Sequence, residues 1–162
     1  MPLTNDAIAQ KIFEALRDDA AILAKCQDLF CMPHLVALGL SGEDGPSPEI
    51  CPVFEVIAWN KERGNAPDNW PFAFSVNIFL RDETREYETM TSGVRTIVNQ
   101  GPQSLEALMD LAEAAIRTGL VALDFEDLSF DYDVITFYPL FAGALNMIVS
   151  HPKLVGGYEP TL

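Results

Sequence analysis

The sequence predicts an α+β fold: a mainly antiparallel or mixed sheet, an amphipathic helix packed on one face, and a further helix at the N-terminus. Three observations carry this. Phe72, Phe74, Val76, Ile78 and Leu80 alternate with Ala73, Ser75, Asn77, Phe79 and Arg81, and a strand sends successive side chains to opposite faces. Leu105, Leu108, Met109, Leu111, Ala112, Ala115 and Ile116 form one wide stripe at helical spacing. From Ser104 to Ser150 the order is helix, alternating strand, Pro139 and a more apolar strand. That order reads as a helix packed on a sheet edge pair.

The elements follow in turn. Thr4 or Asn5 can cap a first helix, in which Ile8, Ile12, Phe13 and Leu16 share a face. Asp18 and Asp19 interrupt it and cap a short second helix over Ala20–Lys25. Gly42, Gly45, Pro46, Pro48 and Pro52 break regular structure between Ser41 and Pro52. Val53 to Trp59 is apolar at most positions, as in a central strand covered on both faces. Lys61 to Pro71 is a polar loop, and Phe72 to Arg81 is the strand already described. The arms Glu86–Thr91 and Val94–Val98 carry β-formers around Ser92-Gly93, which predicts a hairpin closed by a tight two-residue turn. Ser104 caps the amphipathic helix, and Gly119 closes it where a positive φ is cheap. Phe130, Tyr132 and Val134 alternate with Asp131, Asp133 and Ile135 as one more strand. Pro139 cannot donate to a sheet ladder and separates that strand from the last, in which Leu145, Met147 and Val149 alternate with Ala144, Asn146 and Ile148.

The chain has 162 residues, 49% of them hydrophobic, enough for one domain with a core that needs no disulfide or metal. We expect a single domain over 1–162, with an ordered core at about 5–150 and a loose tail at 151–162. The net charge is −14, with the cations scattered. A nucleic-acid backbone or an anionic membrane surface is repelled by such a field, so neither is expected as a direct partner. No basic start followed by an apolar run marks a signal peptide, and no stretch of ~18 apolar residues marks a membrane span. The three cysteines read as reduced thiols of a cytosolic protein.

Chemistry has few candidates here. Cys26, Cys31, His34 and Cys51 are the one metal-like set, but their spacing is irregular for a tetrahedral zinc site. Neither a bound metal nor a cofactor is expected. Asp124, Glu126, Asp127, Asp131 and Asp133 form a dense acidic run without the glycine of a calcium loop, and read as a solvated face. His34 and His151 lie beside prolines, and no nucleophile elbow, phosphate loop or dinucleotide fingerprint is present. Catalysis is therefore not expected. Trp59 and Trp70 flank the Lys61–Asn69 loop and read as covers for strand ends.

The element order resembles that of the tail-terminator, or tail-completion, proteins of tailed bacteriophages and prophages. The Asn5–Arg17 helix ending near Asp18-Asp19-Ala20 carries this resemblance, as does Pro139-Leu140-Phe141-Ala142-Gly143 leading into an alternating final strand. It spans Asn5 to Ser150 and is one of order and size. It implies a structural subunit without a catalytic residue, closing into a homo-oligomeric ring, typically a hexamer. The ring caps the tail tube and joins it to the head connector, so the protein passes from the bacterial host cytoplasm to the virion tail. Tyr87, Met90, Val94 and Ile97 on the hairpin are then the expected subunit interface. The competing readings are a small acidic metal-binding regulator or enzyme using Cys26, Cys31, His34 and Cys51, and a stand-alone acidic binding module.

Overall fold

A computed structural model describes residues 4–39, 49, 52–61, 72–121, 123–132 and 138–150. Helix α1 spans Asn5–Asp18 and starts at Thr4, whose Oγ1 accepts from the Ala7 N–H at 3.1 Å. Helix α2, Ala20–Phe30, is capped by Asp19, whose Oδ1 accepts from the N–H groups of Ala21 and Ile22. It runs five residues beyond the expected Lys25. Cys31 ends it in the left-handed region at φ 57°.

Strand β1, Leu35–Leu38, is an addition to the sequence reading. Four residues carry too little period to be recognised alone. They are held by parallel pairing with β2, Val53–Lys61. Next come β3, Phe72–Arg81, and the two arms β4, Arg85–Thr89, and β5, Arg95–Asn99. Helix α3 is Gly101–Gly119, and β6, Asp124–Tyr132, and β7, Leu140–Ser150, close the described chain. Five strands form one sheet in the order β1-β2-β3-β7-β6, and β4 with β5 forms a separate two-stranded ribbon. Every pairing except β1 with β2 is antiparallel. The α+β class with a mixed, mostly antiparallel sheet is therefore as expected.

The register makes one face apolar. Phe54 and Val56 align with Ile78 and Val76, which align with Gly143 and Leu145. Onto this face the helices lay Ile8, Ile12 and Leu16 from α1, Ile22 and Cys26 from α2, and Leu105, Leu108, Met109, Ala112 and Ile116 from α3, all buried in one cluster. Two glycines set how closely α3 approaches. A Cβ on Gly101 would stand 2.1 Å from the Phe141 ring, and one on Gly143 would meet Met109 Sδ at 3.0 Å.

The last two strands do pair at one edge of the sheet, with β6 outermost and β7 inside it, between β3 and β6. Several expectations need correction. Ser104 is no cap: the helix begins three residues earlier, after Gln100, and the buried Ser104 hydroxyl donates instead to Asp82 Oδ2 at 2.8 Å. Gly119 has no positive φ and is still helical. Its reason is packing, because a Cβ there would lie 2.7 Å from Ala15 Cβ. Strand β6 starts at Asp124, six residues before Phe130, so most of the acidic run is strand. Strand β2 is buried on both faces over Val53–Val56, but Ala58 is exposed, where the register with β3 shifts.

The face without helices carries polar pairs. Asn77 Nδ2 donates to Glu55 Oε2 at 3.0 Å, Ser75 Oγ donates to Asn146 Oδ1, and Asn146 Nδ2 donates to Asp131 Oδ2 at 2.6 Å. No helix among the described residues is long and apolar enough to cross a membrane.

Candidate functional site

The β4–β5 hairpin carries Tyr87, Met90, Val94, Ile97 and Val98, five of the exposed large apolar side chains among the described residues. It is closed by Thr91-Ser92-Gly93, a three-residue loop rather than the expected two-residue turn. The Gly93 N–H donates to the Met90 carbonyl, and the Met90 N–H donates to the Val94 carbonyl, both at 2.8 Å. Gly93 sits at φ 83°, the left-handed position that such loops demand and that glycine occupies without steric cost.

Loop length fixes register, and register fixes faces. Tyr87 stands opposite Ile97, Glu88 opposite Thr96 and Glu86 opposite Val98. The four residues expected at an interface are therefore split. Tyr87 and Ile97 share one face with Arg85 and Arg95; Met90 and Val94 share the other with Glu86, Glu88 and Val98. Tyr87 is 64% exposed, Ile97 57%, Val94 55% and Met90 52%, so at these positions neither face is packed on the other described residues. Val98, also exposed, extends the second cluster and was not among the expected interface residues. Arg95, which period-2 spacing places beside Ile97, was not among them either.

The root of the hairpin is held firmly. Asp82 is buried at the end of β3, where its Oδ1 accepts from the Thr84 N–H and its Oδ2 from Ser104 on α3, both at 2.8 Å. The Asp82 N–H donates to the Pro139 carbonyl at 2.9 Å, and the Gln100 N–H donates to the Thr84 carbonyl at 3.2 Å. Arg85 lies over the Tyr138 ring and donates from Nε to Asn99 Oδ1 at 3.0 Å, while the Tyr138 hydroxyl donates to the Glu83 carbonyl. A buried carboxylate that accepts two hydrogen bonds binds β3, the hairpin and α3 into one rigid corner. The ribbon is fixed at its base, and beyond it both faces are exposed among the described residues.

The metal-like set does not converge. Cys26 is buried in the core, where burial pushes its thiol up to about 12, while Cys31 is exposed at the end of α2. The His34 Nε2–H donates to the Leu16 carbonyl at 2.9 Å, and its ring packs edge-on against Phe54. Cys51 lies outside the described residues. No group of three or more His, Cys, Asp or Glu side chains is placed to hold a metal ion among the described residues. Asp124, Asp127 and Asp131 are exposed on β6, and the Glu126 side chain lies outside the described residues. Asp133, Trp70, His151, the Trp59 side chain, most of the loop at 41–52, and the tail at 151–162 also lie outside the described residues.

The chain matches no protein-family model and no curated protein sequence.

Proposed function

We propose that the chain is a structural subunit of a phage or prophage tail: a tail terminator that closes into a homo-oligomeric ring, typically of six copies. The ring caps the tail tube and meets the head connector. On this reading the protein is made in the bacterial host cytoplasm and ends in the virion tail, and its work is recognition rather than chemistry. One observation carries the reading. The hairpin is rigid at its root and exposes large apolar side chains on both faces. A two-stranded ribbon is marginal by itself in water, so it gains most by docking on another protein.

The two faces differ in charge, one flanked by arginines and one by glutamates. A terminator needs such asymmetry, because it must match neighbours of one kind and refuse the addition of further tube subunits. The α+β body supports this role as a rigid mount for the ribbon. The test is deletion of the gene from the phage or prophage that encodes the chain. Overlong or headless tails are expected. Infectious particles with tails of ordinary length would overturn the assignment.

A further inference from the structure

We propose that the hairpins of successive copies of the chain stack front to back, the arginine face of one ribbon lying on the glutamate face of the next. This deepens the assembly reading above and rests on it. The first support is that the ribbon is apolar on both sides. Tyr87 and Ile97 are cross-strand partners on one face, and Met90 and Val94 close the other. All four are exposed among the described residues. A ribbon with two such faces needs two neighbours to cover it. A two-fold dimer buries one face of each ribbon against the same face of its mate and leaves the other in water. Pairing along a strand edge leaves both faces in water. A front-to-back stack covers both, because each copy has one neighbour in front and one behind. Stacked β-layers stand about 10 Å apart with their side chains interleaved, a gap that these four residues fill.

The second support is charge. Arg85 and Arg95 share the face of Tyr87 and Ile97, and Glu86 and Glu88 share the face of Met90 and Val94. Two like faces would bring like charges together, which opposes a two-fold contact, whereas unlike faces match. The charges nearest the root are engaged within the chain. Arg85 is held by Asn99 and the Tyr138 ring, and Glu86 accepts from Gln100 at 3.2 Å. Arg95 and Glu88 are exposed, and neither has an ion-pair partner among the described residues. They occupy adjacent steps of the ribbon on opposite faces, since Arg95 pairs with Thr89 and Glu88 with Thr96. Stacking two ribbons in the same direction therefore brings Arg95 of one copy beside Glu88 of the next. The two faces are different surfaces, so the contact is heterologous. The rigid root at Asp82 makes each copy present its ribbon at one angle, and repetition closes a ring if that rotation permits.

Sedimentation of the full-length chain at about 0.15 M salt tests the contact, with folding checked by the urea midpoint. Arg95→Glu and Glu88→Arg should each weaken self-association at least tenfold. Combined in one chain they restore the charge match, and association should return to within about threefold of wild type, since close opposite charges across an interface couple strongly. The two positions lie on opposite faces of one ribbon, so an intrachain pair does not explain such a rescue. A mixture of the two single variants should also associate, because each meets its reversed partner on the other. Unchanged association in both single variants overturns the contact. So does a folded double variant without rescue, or a wild-type chain that stays monomeric at millimolar concentration. These outcomes leave the terminator reading standing. Complementation of the deletion phage should rank the variants in the same order, and full complementation by both single variants removes this contact from the ring. If the deletion itself leaves tails normal, the terminator reading falls, and sedimentation still decides the contact.

Discussion

Single residues hold the corner from which the hairpin leaves the body. Asp82 is a buried carboxylate that accepts from Thr84 and Ser104. Removing it leaves two donors unmatched, and each such loss costs about 1–3 kcal/mol. Asp82→Ala should therefore lower unfolding free energy by about 2–4 kcal/mol in urea titration, and Ser104→Ala by about 1 kcal/mol. Because both act at one corner, the double variant should cost less than the sum. Cys26 gives a second test at this scale. Its folded thiol titrates near 12, above the ordinary value of 9.0, because burial disfavours the thiolate. The unfolded chain then loses that proton first, so this contribution is complete below about pH 9 and is lost as pH rises toward 12. A thiol reagent at neutral pH should modify exposed Cys31 quickly and reach Cys26 only on unfolding. Metal analysis of the purified protein should find no stoichiometric zinc; one zinc per chain, lost on replacing Cys26 or Cys31, would revive the regulator reading.

Among the elements, the hairpin and α3 contrast in how they are stabilised. Helix α3 is seated by close approach, with Gly101 against Phe141 and Gly119 against Ala15. Gly101→Ala drives a methyl into the ring, and overpacking of this kind costs about 1–3 kcal/mol. The cost should shrink when Phe141→Leu is added, which a double-mutant cycle of unfolding energies would measure. Among the described residues, the hairpin contributes none to the core cluster of the body. Gly93→Ala forces an L-residue to φ 83° and strains the turn by about 1–2 kcal/mol. Its effect should stay local: faster hydrogen exchange at Tyr87 and Ile97, an almost unchanged urea midpoint, and weaker complementation in the tail assay. An equal loss of global stability would mean that the ribbon is part of the cooperative core.

At the scale of the whole molecule, the net charge of −14 opposes any meeting of two copies at long range. At 0.01 M salt the screening length is about 30 Å, comparable to the domain, and at 0.15 M it is about 8 Å. Raising salt to physiological levels should therefore remove repulsion between centres faster than it weakens a close contact. Sedimentation at several salt concentrations should show self-association, or binding to assembled tail tubes, increasing from 0.01 to 0.15 M. A steady fall across that range would show that attraction already dominates at low salt.

What the sequence by itself determined was whatever local periodicity encodes. The stripe of α3, the alternation of β3 and β7, the caps at Thr4 and Asp19, and a hairpin around Gly93 all follow from neighbours within a few residues. Tertiary structure decided the remainder, because those features depend on partners far along the chain. Strand β1 exists through its pairing with β2, across a gap that local pattern cannot bridge. Ser104 looked like a cap because serine often is one, until Asp82, 22 residues away, claimed its hydroxyl. Gly119 looked like a helix stop, but the demand on it comes from Ala15 on another helix. The four interface residues were legible as apolar β-formers. Their division into an arginine face and a glutamate face hung on one extra loop residue, which shifts the register by one and turns one arm over relative to the other.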